Sequence, residues 1–519
     1  MKKFFIIPLL FVVLCGCEKS AVNPEQDNLS KLAGKKTIAI TGLNYYVNTQ
    51  TGNDANAGTV ATSPLKTIQA GLNKTAEGVA ATVWVAGGTY NERLNWPHSG
   101  ASGAPITLTN YDSGVVIVDG STTTASTQNS LITVTSKSYL RINNIRFTNN
   151  IRAGAFGIYI VGSGTDVQVT SCKVYNVGWT TSPTTIPTST DNANPLTVVG
   201  TGATSYSQVY IGSNEIYNCN TGYSEGLTLS GNVENFLIES NTVHDIPNIG
   251  IDMTGHYSWT GAPAAVNYAR SGNVKHNTVY NCVSQVATSG GIYVDGGANI
   301  NIEGNTSYAN GAGITVGCEN NNFNADNINV RDNLIYNNKG GGILIGSNQP
   351  AGKVTNSTVS NNTFFQNFSD GGYGGEILIQ NTDHLSFINN IIQSRNDMEV
   401  IALLNYTSTN LTMNYNNYYS ASGSASTVSF DWGGINGQWY GSLAAFTAAT
   451  GLEANSTYAL PGFTSPSLPT PNLHLLSTAT ACINKGLPGF TAATDELDID
   501  SQTRVQHSRV DIGADETSY

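Results

Sequence analysis

Three aspartates are the residues of this 519-residue chain best placed to do chemistry: Asp245 and Asp252, seven apart in NTVHDIPNIGIDMTGH, and Asp295 in GIYVDG. Two carboxyls close together can divide acid and base work, provided that one keeps its proton through burial or a neighbouring charge. In glycoside cleavage their spacing sets the outcome. About 5–5.5 Å suits a nucleophile with an acid/base, and roughly 6.5–9.5 Å leaves room for water between an acid and a base. Asp245 falls at a corner before a short strand and Asp252 in the middle of that strand, so a folded turn can bring both onto one wall. Asp252 and Asp295 lie one sequence repeat apart and two residues out of step, which places their α-carbons about 8 Å apart by strand geometry. Glu225 and Glu319 extend the acidic set. A different chemistry would use Asp252, Asp295 and Glu319 to hold Ca²⁺ against a uronate while Arg270 removes a proton. His256, Tyr257, Trp259, Tyr293 and Asn348 are the accompanying candidates for substrate contact, with ordinary surface or packing roles as the competing explanation for each.

The elements that must position these residues are short strands of one form: FGIYIVG, PLTVVG, GLTLSG, GIDMTG, GIYVDG, GITVGC, GILIGS and EILIQN. Side chains alternate across a strand, so Ile158, Leu227, Ile251, Ile292 and Ile314 should fill a core while the following residues face outward. That outward row reads Tyr159, Thr197, Thr228, Asp252, Tyr293, Thr315, Leu344 and Leu378, and the next row contains Asp295. Two insertions, GWTTSPTTIPTSTDNAN and HYSWTGAPAAVNYARS, should flank opposite ends of this stack as binding walls, the second offering Tyr257, Trp259 and Tyr268 to sugar rings. A further row, Glu239, Lys275, Glu303 and Arg331, alternates in sign and reads as an ion ladder on another face.

The strands recur with a period near 28 residues, marked by a position at Asn144, Cys172, Asn214, Asn241, Asn277, Asn305, Asn333, Asn362 and Asn390. A repeat of this length made of several short strands predicts an all-β, parallel β-solenoid. A column of Asn then has a structural cause, because each amide can bond its own backbone and the next coil. The pattern over residues 44 to 516 resembles the right-handed parallel β-helix proteins of the pectate-lyase-like superfamily, which implies an elongated rod that binds glycans on one side. Around Asp245 and Asp252 it resembles the β-helical lacto-N-biosidase family of retaining glycoside hydrolases. That resemblance implies Asp245 as acid/base and Asp252 as nucleophile.

The ends carry their own signals. MKKFFIIPLLFVVLCGC resembles a bacterial lipoprotein signal, implying cleavage before Cys17, acylation of its thiol and an outer-membrane anchor. Residues 18–43 read as a tether, and 44–519 as one β-helix domain. Ser63-Pro64 predicts the start of an N-terminal capping helix that uses Ile68 and Leu72. The segment from CINKG to DIGADE resembles a closing segment, in which Asp495, Asp498 and Asp500 form a solvated loop or a metal site.

Composition narrows the partners. Charged residues are 11% and the net charge is −12, so nucleic acid is excluded for want of a basic stripe. The five cysteines beyond the signal predict no disulfide framework, and Cys219 and Cys282 are two coils apart, too far to bridge. The favoured reading is a retaining glycoside hydrolase that needs no cofactor. A Ca²⁺-dependent polysaccharide lyase and a non-catalytic glycan-binding surface rod are the alternatives.

Overall fold

The computed structural model describes residues 42–347, 352–370, 375–395, 399–403, 408–423, 429–433 and 437–518. Cys17, with the rest of the expected signal and tether through residue 41, and Asn348 lie outside them. Among the described residues the chain winds through three sheets of 13 strands each. Sheet A runs from Leu43–Val47 to Thr412–Asn414, sheet B from Gly88–Tyr90 to Thr457–Tyr458, and sheet C from Leu94–Asn95 to Gln438–Tyr440. One coil visits A, B and C in turn, and apart from the antiparallel last pair of sheet C each strand pairs in parallel with its counterpart 22–42 residues away, as in Glu239↔Lys275↔Glu303↔Arg331 of sheet A. This is a parallel β-helix. No helix among the described residues is long and apolar enough to cross a membrane.

Alternation puts Val, Ile and Leu from all three sheets into one continuous core. The backbone turns between strands by left-handed residues, which explains the abundance of Asn at φ near +50 to +58° (Asn149, Asn176, Asn218, Asn281). Inside the A–B corner runs an amide ladder. Asn214, Asn241, Asn277, Asn305, Asn333, Asn362, Asn390 and Asn416 each accept, through Oδ1, the backbone N–H and side-chain amide of the coil before, at 2.9–3.1 Å, except that Cys172, having no amide, donates only its N–H to Asn214. Buried Glu453 ends the column by accepting from Asn416. Asn144 is not part of it. Its φ is +54° and its amide reaches Asn110, while buried Ile145 occupies the inner position beside Cys172. The sequence motif slipped by one residue there because Asn suits both the left-handed turn and the ladder.

A second ladder, Asn310, Asn338 and Asn367, runs inside the corner between sheets B and C and ends on buried Glu376. Burial pushes that carboxyl up to about 8.

The short helix near the start spans Ile68–Asn73, capped by Thr67, and buries Ile68 and Leu72. It begins after Ser63-Pro64, because Asp54 and Glu92 accept the N–H groups of Lys66, Thr67, Ile68 and Gln69. A later helix, Leu443–Thr450, stacks Phe446 on Phe430 at 4.6 Å. The closing segment lies against the flank of the solenoid: Gly513 N–H bonds Asn389 O, and Arg504 is buried beside Asp332 at 3.3 Å. Asp498 is used internally, accepting the N–H groups of Asp500, Gln502 and Glu516. All five described cysteines are free and buried.

Candidate active site

Sheet C carries the site. Its register aligns Tyr159↔Thr197↔Thr228↔Asp252↔Tyr293↔Thr315↔Leu344↔Leu378, the row expected from alternation. Ile251 and Met253 point into the core, which turns Asp252 to the other face. Thr254 pairs with Asp295, so the two aspartates sit on adjacent strands two residues out of step. The insertions flank the stack, 179–192 between Lys173–Gly178 and Ala193–Gly200 and 255–269 between Ile251–Thr254 and Arg270–Lys275.

The face is nonetheless closed rather than open. Asp252 is 3% exposed and Asp295 2%. Tyr257, from the second insertion, lies over them and donates its hydroxyl to Asp295 Oδ2 at 2.6 Å and Glu319 Oε2 at 3.2 Å. Glu319 is exposed and gives its backbone N–H to Asp295 Oδ1 at 2.7 Å. Tyr293 contacts the other Glu319 oxygen at 3.4 Å. Glu225, half-buried, accepts from Thr228 Oγ1 at 2.9 Å. Thr228 was not singled out in the sequence. Its place beside Asp252 in the outward row was the available signal.

The acids burden one another. Burial raises the Asp252 carboxyl well above the usual aspartate range, and the charges of Glu225, Asp295 and Glu319 add to it in that order. Burial and the charge of Glu319 push Asp295 to about 7, against the bonds from Tyr257 and the Glu319 amide. Glu225 is pushed to about 7 by burial, with Glu319 adding to it. Asp252 Oδ1 is buried and has no hydrogen-bond partner. Protons are therefore shared within the group near neutral pH and belong to the set rather than to single residues. Burial and the same acids keep the Tyr257 phenol protonated, so it remains a donor.

Tyr257→Phe should remove both donated bonds and lower stability by about 1–3 kcal/mol at pH 8. The loss should shrink at pH 5, where Asp295 carries a proton; paired melting curves at the two pH values check this.

Other candidates separate from this set. Asp245 has a φ of +54° on sheet B, where His244 Nδ1 meets Oδ2 at 2.7 Å and Asn281 bonds Oδ1. The charged groups that act on Asp252 are Glu225, Asp295 and Glu319, while Asp245 lies across a corner on sheet B. His256 stacks on Phe323 at 4.0 Å and on Tyr268 at 5.3 Å. It shapes the insertion. Trp259 stands 64% exposed, 6.5 Å from the Tyr257 ring. Arg270 is committed to Glu234 and to the carbonyls of Val266 and Tyr268, all away from the acids. Among the described residues, the group of three or more His, Cys, Asp or Glu side chains with donor atoms all within 4.8 Å is His474, Asp500 and Asp515.

The family model described as right handed beta helix region matches residues 256–392. The uncharacterized protein YwoF of Bacillus subtilis (strain 168) is 31% identical over 437 residues, covering 81% of this chain and 88% of its own. Among solved structures, a lacto-N-biosidase of glycoside hydrolase family 136 from Eubacterium ramulus has a TM-score of 0.49 and 14% identity, over 72% of this chain and 67% of that one. XylC in complex with xylose has a TM-score of 0.48 and 11% identity, over 72% and 83%.

Proposed function

This chain belongs to the family of the Bacillus subtilis protein YwoF, and with that as the starting point we propose that it is a glycan-degrading enzyme, a glycoside hydrolase, working at the acids of sheet C. The observation that carries the proposal is the convergence of Glu225, Asp252, Asp295 and Glu319 from four neighbouring coils, with Asp252 presenting an unpartnered buried oxygen. A carboxylate so placed attacks or activates water, and a neighbour that holds its proton near neutral pH protonates the leaving oxygen. Glu225 fits the second role because it is half-buried and is the first charged neighbour acting on Asp252. Asp295, with both oxygens engaged, holds Tyr257 and Glu319 in place. For a sugar to reach Asp252, Tyr257 must swing off the acids. Trp259 then offers a ring at the rim.

Against the lyase alternative, its candidate base Arg270 is paired with Glu234. The lipid anchor at Cys17 in an outer membrane remains part of the proposal, to be tested by fatty-acid labelling of wild type and Cys17→Ala. The activity test is a panel of neutral and uronate-containing glycans with and without chelator. New reducing ends in chelator without ultraviolet-absorbing products are expected. Ultraviolet gain that the chelator abolishes would make the protein a lyase, and binding without turnover would make it a glycan-binding rod.

A further inference from the structure

Two regular columns of the solenoid break on the same coil. On the outside of sheet B, Tyr175, Tyr217, His244, Tyr280, Tyr308 and Tyr336 stack ring on ring, with centroids 4.6–5.2 Å apart. Tyr is the rule and His244 the exception. The adjoining left-handed turn position reads Asn176, Asn218, Asp245 and Asn281 over four successive coils, with φ between 50 and 54°. The column goes on through Ala309, Asn337 and Gln366, so Asp245 is its charged member, and it touches His244.

His244 Nδ1 meets Asp245 Oδ2 at 2.7 Å while its Nε2 lies 3.5 Å from Glu215, which is itself paired with Lys173. Asn281 donates to the other oxygen of Asp245. The carboxylate is thus aimed from two sides. A carboxylate has about four lone-pair sites, so capacity remains for a ligand, and the side chain is 39% exposed. Stability alone does not explain the change: Asn serves the same turn on three of these four coils without a carboxylate, and Tyr serves the same stack.

Asp245 lines a cavity of about 760 Å³ at the corner between sheets B and C, within the range of small-molecule sites. The amides of Asn176, Asn218 and Asn281 share its floor, and Pro183, Pro247 and Val283 give it apolar walls. Gln285 Nε2 reaches Pro183 O at 2.6 Å, joining two loops 102 residues apart. Glu225, Asp252, Asp295 and Glu319 do not line it.

We propose that this corner cavity is a second glycan site, in which Asp245 accepts from adjacent hydroxyls of a neutral sugar, the Asn amides bond others and the apolar wall meets the ring face. His244 is a positioning residue that orients the carboxylate. The inference rests on the glycan reading of the protein but not on its acids of sheet C.

The test uses the full chain on an array of neutral, amino-sugar and uronate oligosaccharides, followed by titration of the best binder. His244→Tyr and Asp245→Asn restore the residues that the neighbouring coils carry, so both should melt at or above the wild-type temperature. Asp245→Asn should bind at least tenfold more weakly, His244→Tyr should lose several-fold in affinity without loss of stability, and Val283→Trp should fill the cavity. Asp383→Asn, on sheet A away from both sites, should bind as wild type does. Unchanged affinity in both Asp245→Asn and Val283→Trp, an equal loss in Asp383→Asn, or no binder on the array would each overturn the proposal. Binding that needs Asp245 in a protein without turnover would keep this site and remove the hydrolase reading.

Discussion

Asp252→Asn should abolish glycan turnover and at the same time make the protein more stable at pH 8. Both effects follow from one arrangement. Asp252 is buried among acids that oppose its charge, and its carboxyl is held well above its ordinary range. An unfolded aspartate titrates near pH 4, so as pH rises from there the unfolded chain gives up protons that the folded cluster keeps. Stability contributed by the protonated cluster is whole below about pH 4 and is lost as pH climbs toward and beyond 7, where Glu225 and Asp295 titrate. An amide at position 252 has the same shape and no charge, and its NH₂ group can donate to its neighbours. The gain should be largest at pH 8 and fall toward zero at pH 4, read from denaturant curves at several pH values. Turnover should fall by roughly 10²–10⁴, the usual worth of a positioned acid or base. A variant that loses activity without gaining stability at pH 8 would mean that the acids are not coupled; one that gains stability but keeps activity would move catalysis elsewhere.

Asn305→Ala should be the most damaging single change in the scaffold. The side chain is 1% exposed. Its Oδ1 takes the N–H and the amide of Asn277, and its own amide serves Val274 O and Asn333 Oδ1. Alanine leaves the Asn277 N–H without this acceptor, one hydrogen of its amide unmatched although the other still reaches Ile238 O, and the Val274 carbonyl short of a donor. Each orphan costs about 1–3 kcal/mol, so a loss on the order of 4 kcal/mol or more is expected in the denaturation midpoint. Because each coil of a solenoid touches only its neighbours, the damage should centre on residues 277–333. Amide exchange should show protection lost there first, with the coils near Ile106 and Leu108 spared. The same substitution at Asn144, which bonds Asn110 at an exposed corner, should cost well under half as much.

The amino-acid sequence by itself determined the coil. Alternation along GIDMTG and its counterparts decided which residues enter the core, and the recurring Asn decided where the chain turns, because both depend on interactions that repeat within and between adjacent coils. The register Tyr159↔Thr197↔Thr228↔Asp252↔Tyr293 was legible for that reason, as was the sign alternation of Glu239, Lys275, Glu303 and Arg331. The slip at Asn144 shows the limit of the same signal, since one residue type serves two adjacent positions.

Only the tertiary structure decided what the acids are. Asp245 and Asp252 are close in the chain, but a corner divides them between sheets B and C, whereas Glu225 and Glu319, 94 positions apart in the sequence, act on the same aspartate. That Tyr257 would fold back over Asp295 depended on the path of a 15-residue insertion, 255–269, whose course no period records. The charge on a carboxyl depends on everything around it in three dimensions: burial withdraws water and neighbouring acids add repulsion, and neither is written in local sequence.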